Sequence, residues 1–400
     1  MDTTLEEKIV TPSVSENRKH PFNVDPKQQA VRDEVRTFAL EHMVPVSEYW
    51  DRLPEPRPFP FELYRKMGQA GFIGYAMPKQ YGGRGLSHLE YITLTEELSY
   101  WDAALGLLTN VAELATYPIL NFASEDVKAR FVPECINGKR VAAFVLTEPQ
   151  AGSDAANQAT VAVEDGDGYI VNGEKIFIMH GDVADTAVLF CRIEGKPKVS
   201  AFVVETDQPG WEKRILKNKM GMRAATTGGI VLKNVRIKKE NLIGEYGRGF
   251  RYALATLDSA RIGVAAQGVG LSQRALDESV AYAKKRQAFG QPIAKLQAIQ
   301  WMIADMSVRL EAARCLTYKA VTLQDTGQPY SLEAAQAKLY ATEAARFCCD
   351  RAMQIHGGYG YIGEFSPIEK MYRDQRVLEI YEGTSEIQRL VIAGHVIGGR

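Results

Sequence analysis

The chain reads as an α+β protein in three blocks: an N-terminal α-helical domain, a middle antiparallel β domain and a C-terminal α-helical domain. Three observations predict this. Apolar residues recur at helical spacing from residue 24 to about 140, alternate in short runs from 141 to 248, and return to helical spacing from 249 to 400. Four hundred residues also exceed one ordinary core, so more than one domain is expected. Residues 1–23 mix Asp2, Glu6, Glu7 and Glu16 with basic residues and hold no apolar block. That predicts a flexible arm, neither a signal nor a transit peptide.

In the first block, Phe38, Leu40, Met43 and Val44 make the first apolar cluster. Phe61, Leu63, Met67 and Phe72 continue it past a proline-rich turn at 54–60. YGGRG (81–85) is a loop. Tyr91–Asn110 is a long Leu- and Ala-rich helix carrying Asp102, an acidic residue placed to cap the helix or face solvent. In the second block, VAAFVLTE, TVAVE, YIVN, EKIFIM, TAVLFCRI, VSAFVVE and IVLKNVRI predict about seven strands, with turns at Asp165–Gly168 and Asn172–Gly173. In the third, Leu296, Ile299, Ile303, Met306, Leu310 and Ala313 trace one helical stripe, and Ala334–Met353 is a second long helix. Ser366-Pro367-Ile368-Glu369 reads as a capping box.

Composition excludes several function classes. With 46% hydrophobic and 24% charged residues and a net charge of −1, there is no basic excess for nucleic acid or an anionic membrane surface. No apolar run is read as a membrane helix, so no membrane insertion is expected. The histidines show no HxH or HExxH spacing, and no metal site is expected. Five cysteines, an odd number without a CxxC, predict free thiols and a cytoplasmic location.

The most informative stretch is RVLEIYEGTSEIQR (376–389). An apolar run of Val377, Leu378, Ile380 and Tyr381 carries Glu382 into a break at Gly383, and a second helical run, 387–392, follows. A carboxylate at such a break either faces a cleft or is a solvated residue before a turn. GYGYIG (358–363) matches G-x-G-x-x-G, but it follows a helical run rather than a strand, so a Rossmann site is rejected; its glycines allow close backbone approach. LTEPQAGSD (146–154) leaves a strand for a loop whose amides and hydroxyls, Thr147 and Ser153, suit a phosphate or the edge of a heterocycle, or simply make a turn. KKRQAFGQP (284–292) sets Arg286 at a helix end, solvated or facing a pyrophosphate.

Taken together, LTEPQAGSD, DSAR (258–261), KKRQAFGQP, QIHGGYGY (354–361) and IYEGTSEIQR (380–389) resemble the acyl-CoA dehydrogenase family in order and spacing, over about residues 24–398. The resemblance implies three domains around FAD, the last like a four-helix bundle, usually in a homotetramer that acts on an acyl-CoA and passes electrons to an electron-transfer flavoprotein. By the same matching, Glu382 falls on the catalytic base. Phe144, Leu146, Thr147, Gly152, Ser153, Phe177, Met179, Thr384 and Glu386 fall on positions facing FAD. Arg286, Phe289, Gln297, Gln354, Gly357 and Gly358 also fall on cofactor positions, and Arg286, Gln297 and 354–358 reach the FAD of a neighbouring subunit. Ser153, Asp258, Arg261, Tyr381 and Gly383 surround the CoA thioester. Gly106 and Asn110, with Leu107 and Leu114, fall on the helix closing the acyl pocket.

The chemistry explains these residue types. Removing an α-proton from a thioester builds charge on its oxygen, which needs aimed donors, and a carboxylate in a dry cleft is raised toward the working pH. In the family the β-hydrogen leaves as hydride to the flavin. IFIMHG (176–181) departs from the family's tryptophan and threonine: Phe177 lacks an indole donor and Met179 lacks a hydroxyl. Gln150 stands for a common glycine. Met179 and Asp102 leave room for altered chemistry on the same fold: a reductase, an oxidase or a ring desaturation that uses Asp102. A silent scaffold is the remaining alternative, against which Glu382, Arg286 and Thr384 speak. The pocket helix, with Asn110 and no arginine, predicts a short, branched or cyclic acyl group rather than a long or dicarboxylic one.

Overall fold

The computed structural model describes residues 26–398; the predicted arm at 1–23 lies outside the described residues. Helices α1 (Pro26–Phe38), α2 (Val44–Arg52), α3 (Phe61–Gln69), α4 (His88–Phe122) and α5 (Glu125–Ile136) form the first layer. Ser87 starts α4 with a capping box: its hydroxyl accepts from Glu90 N at 3.2 Å, and Glu90 Oε2 accepts from Ser87 N at 2.9 Å. The predicted box at Ser366 does not form. Its hydroxyl donates to the Tyr359 carbonyl, and Glu369 pairs with Arg373.

α4 is interrupted at Asp102, which has extended backbone (φ −161°, ψ 111°). Its Oδ1 accepts from the amides of Ala104 and Leu105 at 2.9 and 3.0 Å, so Asp102 caps the second half of the helix. The solvated alternative fails, because Asp102 is buried and bonds to Ser47 and Lys370. α4 is, against the sequence reading, long and apolar enough to cross a membrane; here it is packed inside the protein, most of its residues buried.

The middle block is one seven-stranded sheet: β1 (Ala142–Val145), β2 (Val161–Asp165), β3 (Gly168–Met179), β4 (Thr186–Ile193), β5 (Lys196–Glu205), β6 (Trp211–Ile215) and β7 (Thr227–Lys238). The order is β1-β4-β2-β3-β7-β6, with β5 on the other side of β4. It is mixed rather than purely antiparallel, because β1 and β2 both pair with β4 in parallel. Asp165–Gly168 makes the expected hairpin turn. Asn172–Gly173 does not: YIVN and EKIFIM form one strand, and the register shift at Val171/Gly173 is a bulge. β6 went unpredicted because only Trp211 of its WEKRI is buried, leaving an edge strand too polar to signal itself.

The last block comprises α6 (Gly249–Lys285), a two-residue hairpin of β8 (Gln287–Ala288) and β9 (Gln291–Pro292), α7 (Gln297–Asp325), α8 (Ser331–His356), the single turn α9 (Gly358–Tyr361), α10 (Ile368–Asp374) and α11 (Ser385–Ile397). α6 is the central rod. A side chain at Gly268 would strike the Ala341 carbonyl of α8 at 2.7 Å, and one at Gly270 the Glu96 carbonyl of α4 at 2.3 Å. These contacts set α4, α6 and α8 close together, and the loop before α11 lies where they meet.

Candidate active site

Glu382 and Gly383 both have left-handed backbone, φ +55° and +90°. For a glutamate this costs roughly 1 kcal/mol or more, so the surroundings must enforce it. Three helices do so through the two carbonyls. Lys338 Nζ of α8 donates to Gly383 O at 2.7 Å, and Gln388 Nε2 of α11 to Gly383 O at 2.8 Å and Glu382 O at 3.1 Å. Arg261 of α6, paired with Asp258 at 2.6 Å, approaches Glu382 O at 3.4 Å. Thr384 caps α11 by accepting from Ile387 N at 3.3 Å.

The Glu382 side chain opens into a cleft. Leu107, Asn110, Glu113 and Leu114 of α4 form one wall, Gly263 and Gln267 of α6 another, and Met179 closes the β-domain side. Tyr381 also lines it, its hydroxyl donating to Gln267 Oε1 at 2.6 Å. Burial pushes Glu382 up to about 7, with Lys338 and Arg261 opposing. Burial likewise brings Lys338 down to about 8 against the pull of Glu382. Desolvation outweighs their attraction on both sides. Glu113 is lifted to about 7 for the same reason, with His88 and Tyr91 opposing.

The structure brings Glu382, Tyr381, Met179, Asn110, Leu107 and Leu114 to this one cleft. Gly106 is not in its wall: a side chain there would meet Leu98 and Ser99 at 3.1–3.3 Å, so this glycine serves packing across the break in α4. Asp258 and Arg261 are turned to each other and to the loop backbone, while Ser259 and Ala260 take the wall positions. The Gly383 carbonyl is occupied by Lys338 and Gln388. Asp102 is bound up in its cap and ion pairs and does not line the cleft.

The cofactor positions divide in two. On the β domain, Phe144 packs on Phe190 and Leu146 is buried, so these side chains face the protein interior, and the Thr147 carbonyl accepts from Ile176 N. Gly152 and Ser153 are exposed, with nothing near a Cβ at Gly152. Phe177, at a register shift in β3 with φ +57°, is 66% exposed. Arg286, Gln354, Gly357 and Gly358 line a second cleft, where the Arg286 guanidinium lies 5.6 Å from the Tyr359 ring centre. Phe289 is 90% exposed at the β8–β9 tip; Gln297 and Glu386 are exposed, and neither Phe289 nor Gln297 lines that cleft. Bare aromatic faces at Phe177 and Phe289, open backbone at Gly152, Gly357 and Gly358, and donors at Arg286 and Gln354 fit a dinucleotide with a flat heterocycle.

Sequence reasoning missed Lys338, Gln388, Gln267, Glu113 and Thr227. Two carried a signal: Lys338 is a lone lysine in the buried alanine stripe of α8, and Glu113 lies one turn from Asn110 on the same helix. Thr227 Oγ1 donates to Met179 Sδ at 3.3 Å, a hydroxyl visible only through β3–β7 pairing.

Known proteins share the three-block fold. Family models for the acyl-CoA dehydrogenase N-terminal, middle and C-terminal domains match residues 25–139, 143–235 and 247–397. The short-chain specific acyl-CoA dehydrogenase of Clostridium acetobutylicum is 41% identical over 379 residues, 94% of this chain and 99% of that one. The caffeyl-CoA reductase–Etf complex subunit CarC of Acetobacterium woodii is 41% identical over 375 residues, 93% and 98% of the two chains. The solved butyryl-CoA dehydrogenase of Megasphaera elsdenii superposes with a TM-score of 0.90 at 36% identity, covering 95% of this chain and all of that one. Related chains have been solved with FAD or its reduced form. With all three domain models matched in order and the fold shared, the chain belongs to the FAD-dependent acyl-CoA dehydrogenase family.

Proposed function

We propose that this enzyme removes the α-proton and β-hydrogen of a short, branched or cyclic acyl-CoA, with Glu382 as the base. One observation carries the reading: a carboxylate raised to about 7 opens into an apolar-walled cleft on a loop fixed by Lys338, Gln388 and Arg261. Bound FAD supplies the acceptor for the β-hydrogen, taken as hydride. The chain's own residues do the rest. Tyr381 and Gln267 fix the cleft beside the base, Leu107 and Leu114 hold the acyl body and exclude water, and Glu382 takes the proton on its carboxylate. Gly152–Ser153, Phe177 and Thr384–Glu386 would hold the flavin end. Arg286, Gln354 and Gly357–Gly358 would reach the FAD of a neighbouring subunit in a homotetramer. An electron-transfer flavoprotein is the natural acceptor, in keeping with the likeness to a subunit of a reductase–Etf complex.

A second reading, the reverse reduction of an enoyl-CoA, is favoured by Phe177 and Met179, which stand where the family resemblance leads one to expect a tryptophan and a threonine. Anaerobic mixing with butyryl-, isobutyryl-, cyclohexanecarboxyl- and palmitoyl-CoA separates the cases. Bleaching of the flavin by one of the first three supports the proposal. Preference for palmitoyl-CoA overturns the acyl assignment. Bleaching by none, with reoxidation of reduced enzyme by enoyl-CoAs, establishes the reductase.

A further inference from the structure

Two polar groups in the cleft take no part in the chemistry above. Asn110 Oδ1 accepts from the Tyr91 hydroxyl at 3.0 Å and the Thr95 hydroxyl at 3.2 Å, which fixes the amide and turns its nitrogen the other way. That Nδ2 is buried without a partner and looks toward α6 at Gly263, 3.8 Å from where a Cβ would stand. Glu113, three residues on along α4, lines the same cleft; the nearby Tyr91 hydroxyl spends its proton on Asn110, and Glu113 Oε2 is left buried without a partner. Residues at this spacing are helix neighbours, roughly 5–6 Å apart at Cβ. The cleft therefore holds an orphaned donor beside an orphaned acceptor, in a lining that also includes Leu107, Leu114 and the bare backbone of Gly263.

We propose that this pair recognises a hydroxyl carried on the acyl group of the substrate. The proposal deepens the dehydrogenase reading and rests on it. A hydroxyl both donates and accepts, so one oxygen answers Glu113 Oε2 and Asn110 Nδ2 together. An ammonium has no lone pair for the Asn110 amide. A carboxylate has no proton for Glu113 and is repelled once Glu113 ionises. A hydrocarbon leaves both groups unpaired, the costly case. Water is the other small molecule with both capacities, and it is what a substrate hydroxyl replaces.

The test uses the holoenzyme and acyl-CoAs paired by exchanging a terminal methyl for a hydroxyl: 4-hydroxybutyryl with pentanoyl, 5-hydroxypentanoyl with hexanoyl, and 3-(4-hydroxyphenyl)propionyl with 3-(4-methylphenyl)propionyl. kcat/KM for anaerobic flavin reduction is compared within each pair. In at least one pair the hydroxyl member is expected to win by about tenfold or more, the discrimination a site built for a hydroxyl gives. Asn110→Leu and Glu113→Leu should each bring that ratio to one or below. Each ratio is internal to one protein, so a general loss of stability does not imitate the effect. Preference for the methyl member in every pair, or wild-type ratios in both variants, overturns the proposal while leaving dehydrogenation standing. A flavin that none of the six reduces, while butyryl-, isobutyryl- or cyclohexanecarboxyl-CoA does, overturns this proposal alone; a flavin that none of these compounds reduces overturns the dehydrogenase reading with it.

Discussion

Replacing Glu382 by glutamine removes the ionisable group while keeping its shape, and the structure fixes the size of two effects. The first is kinetic. A base at about 7 is roughly one-tenth ionised at pH 6 and nine-tenths at pH 8, so flavin reduction by a saturated acyl-CoA should rise about tenfold across that interval. Glu382→Gln should abolish the rise and lower the rate by about 10²–10⁴, with FAD still bound. Glu113 titrates in the same range, so the profile is repeated in Glu113→Gln; persistence of the rise there assigns it to Glu382. The second effect is on stability. The folded carboxyl is raised from 4.5 to about 7, so the fold disfavours its ionisation by roughly 3 kcal/mol. That penalty is absent below pH 4.5, grows as pH rises to 7 and is complete above it. Glu382→Gln should therefore melt progressively higher than wild type between pH 5 and pH 8. Stopped-flow reduction and paired melting curves read both. A variant that reduces its flavin at the wild-type rate refutes the base assignment. Coincident melting differences at pH 5 and 8 refute the buried-carboxyl argument.

Asp102→Asn keeps a capping oxygen and should leave flavin reduction within a few-fold of wild type, whereas Asp102→Ala should cost about 1–3 kcal/mol of stability through the lost cap and the deserted Lys370. Loss of reduction in the asparagine variant at unchanged stability would assign Asp102 a chemical role. Arg286→Ala should weaken FAD retention, measured by flavin release on dilution, more than it lowers the melting temperature; a flavin-loaded monomer at working concentration would refute the cross-subunit site. Met179→Thr should raise the flavin midpoint potential, read by spectroelectrochemistry, because a thioether has no proton to donate. An unchanged potential would show that Thr227, which already aims a hydroxyl at this side chain, sets the environment instead.

The three-block order was legible because each block repeats one period long enough to dominate local noise, and the break at Gly383 was legible because an apolar run ends and restarts around it. What the sequence concealed depends on partners far along the chain. Lys338 lies 45 residues from the carbonyl it holds, and Arg261 lies 121 from the one it approaches. The parallel pairing of β1 and β2 with β4 leaves no mark on alternation, since side chains alternate equally in both kinds of ladder. At Gly106 the sequence leaves two explanations open, because a glycine in a pocket-lining helix gives either width for a ligand or closeness for a helix. Only the position of Leu98 decides between them.

The direction in which Lys338 points determines what Glu382 can do. Were this ammonium paired with the carboxylate, a buried ion pair would hold Glu382 well down, and a base held low is a poor acceptor for an α-proton. Instead the ammonium is aimed at the Gly383 carbonyl, 2.7 Å away, and Gln388 and Arg261 likewise bond backbone oxygens of the loop. Two consecutive left-handed residues turn those carbonyls out of any helix ladder, so they demand donors, and two of the three donors they take, Lys338 and Arg261, are cations beside the Glu382 carboxyl. With Lys338 and Arg261 engaged on backbone oxygens, their pull on the carboxyl is outweighed by burial, which carries it to about 7. Burial, opposed by two cations held on the loop's own carbonyls, sets how readily the Glu382 carboxyl ionises.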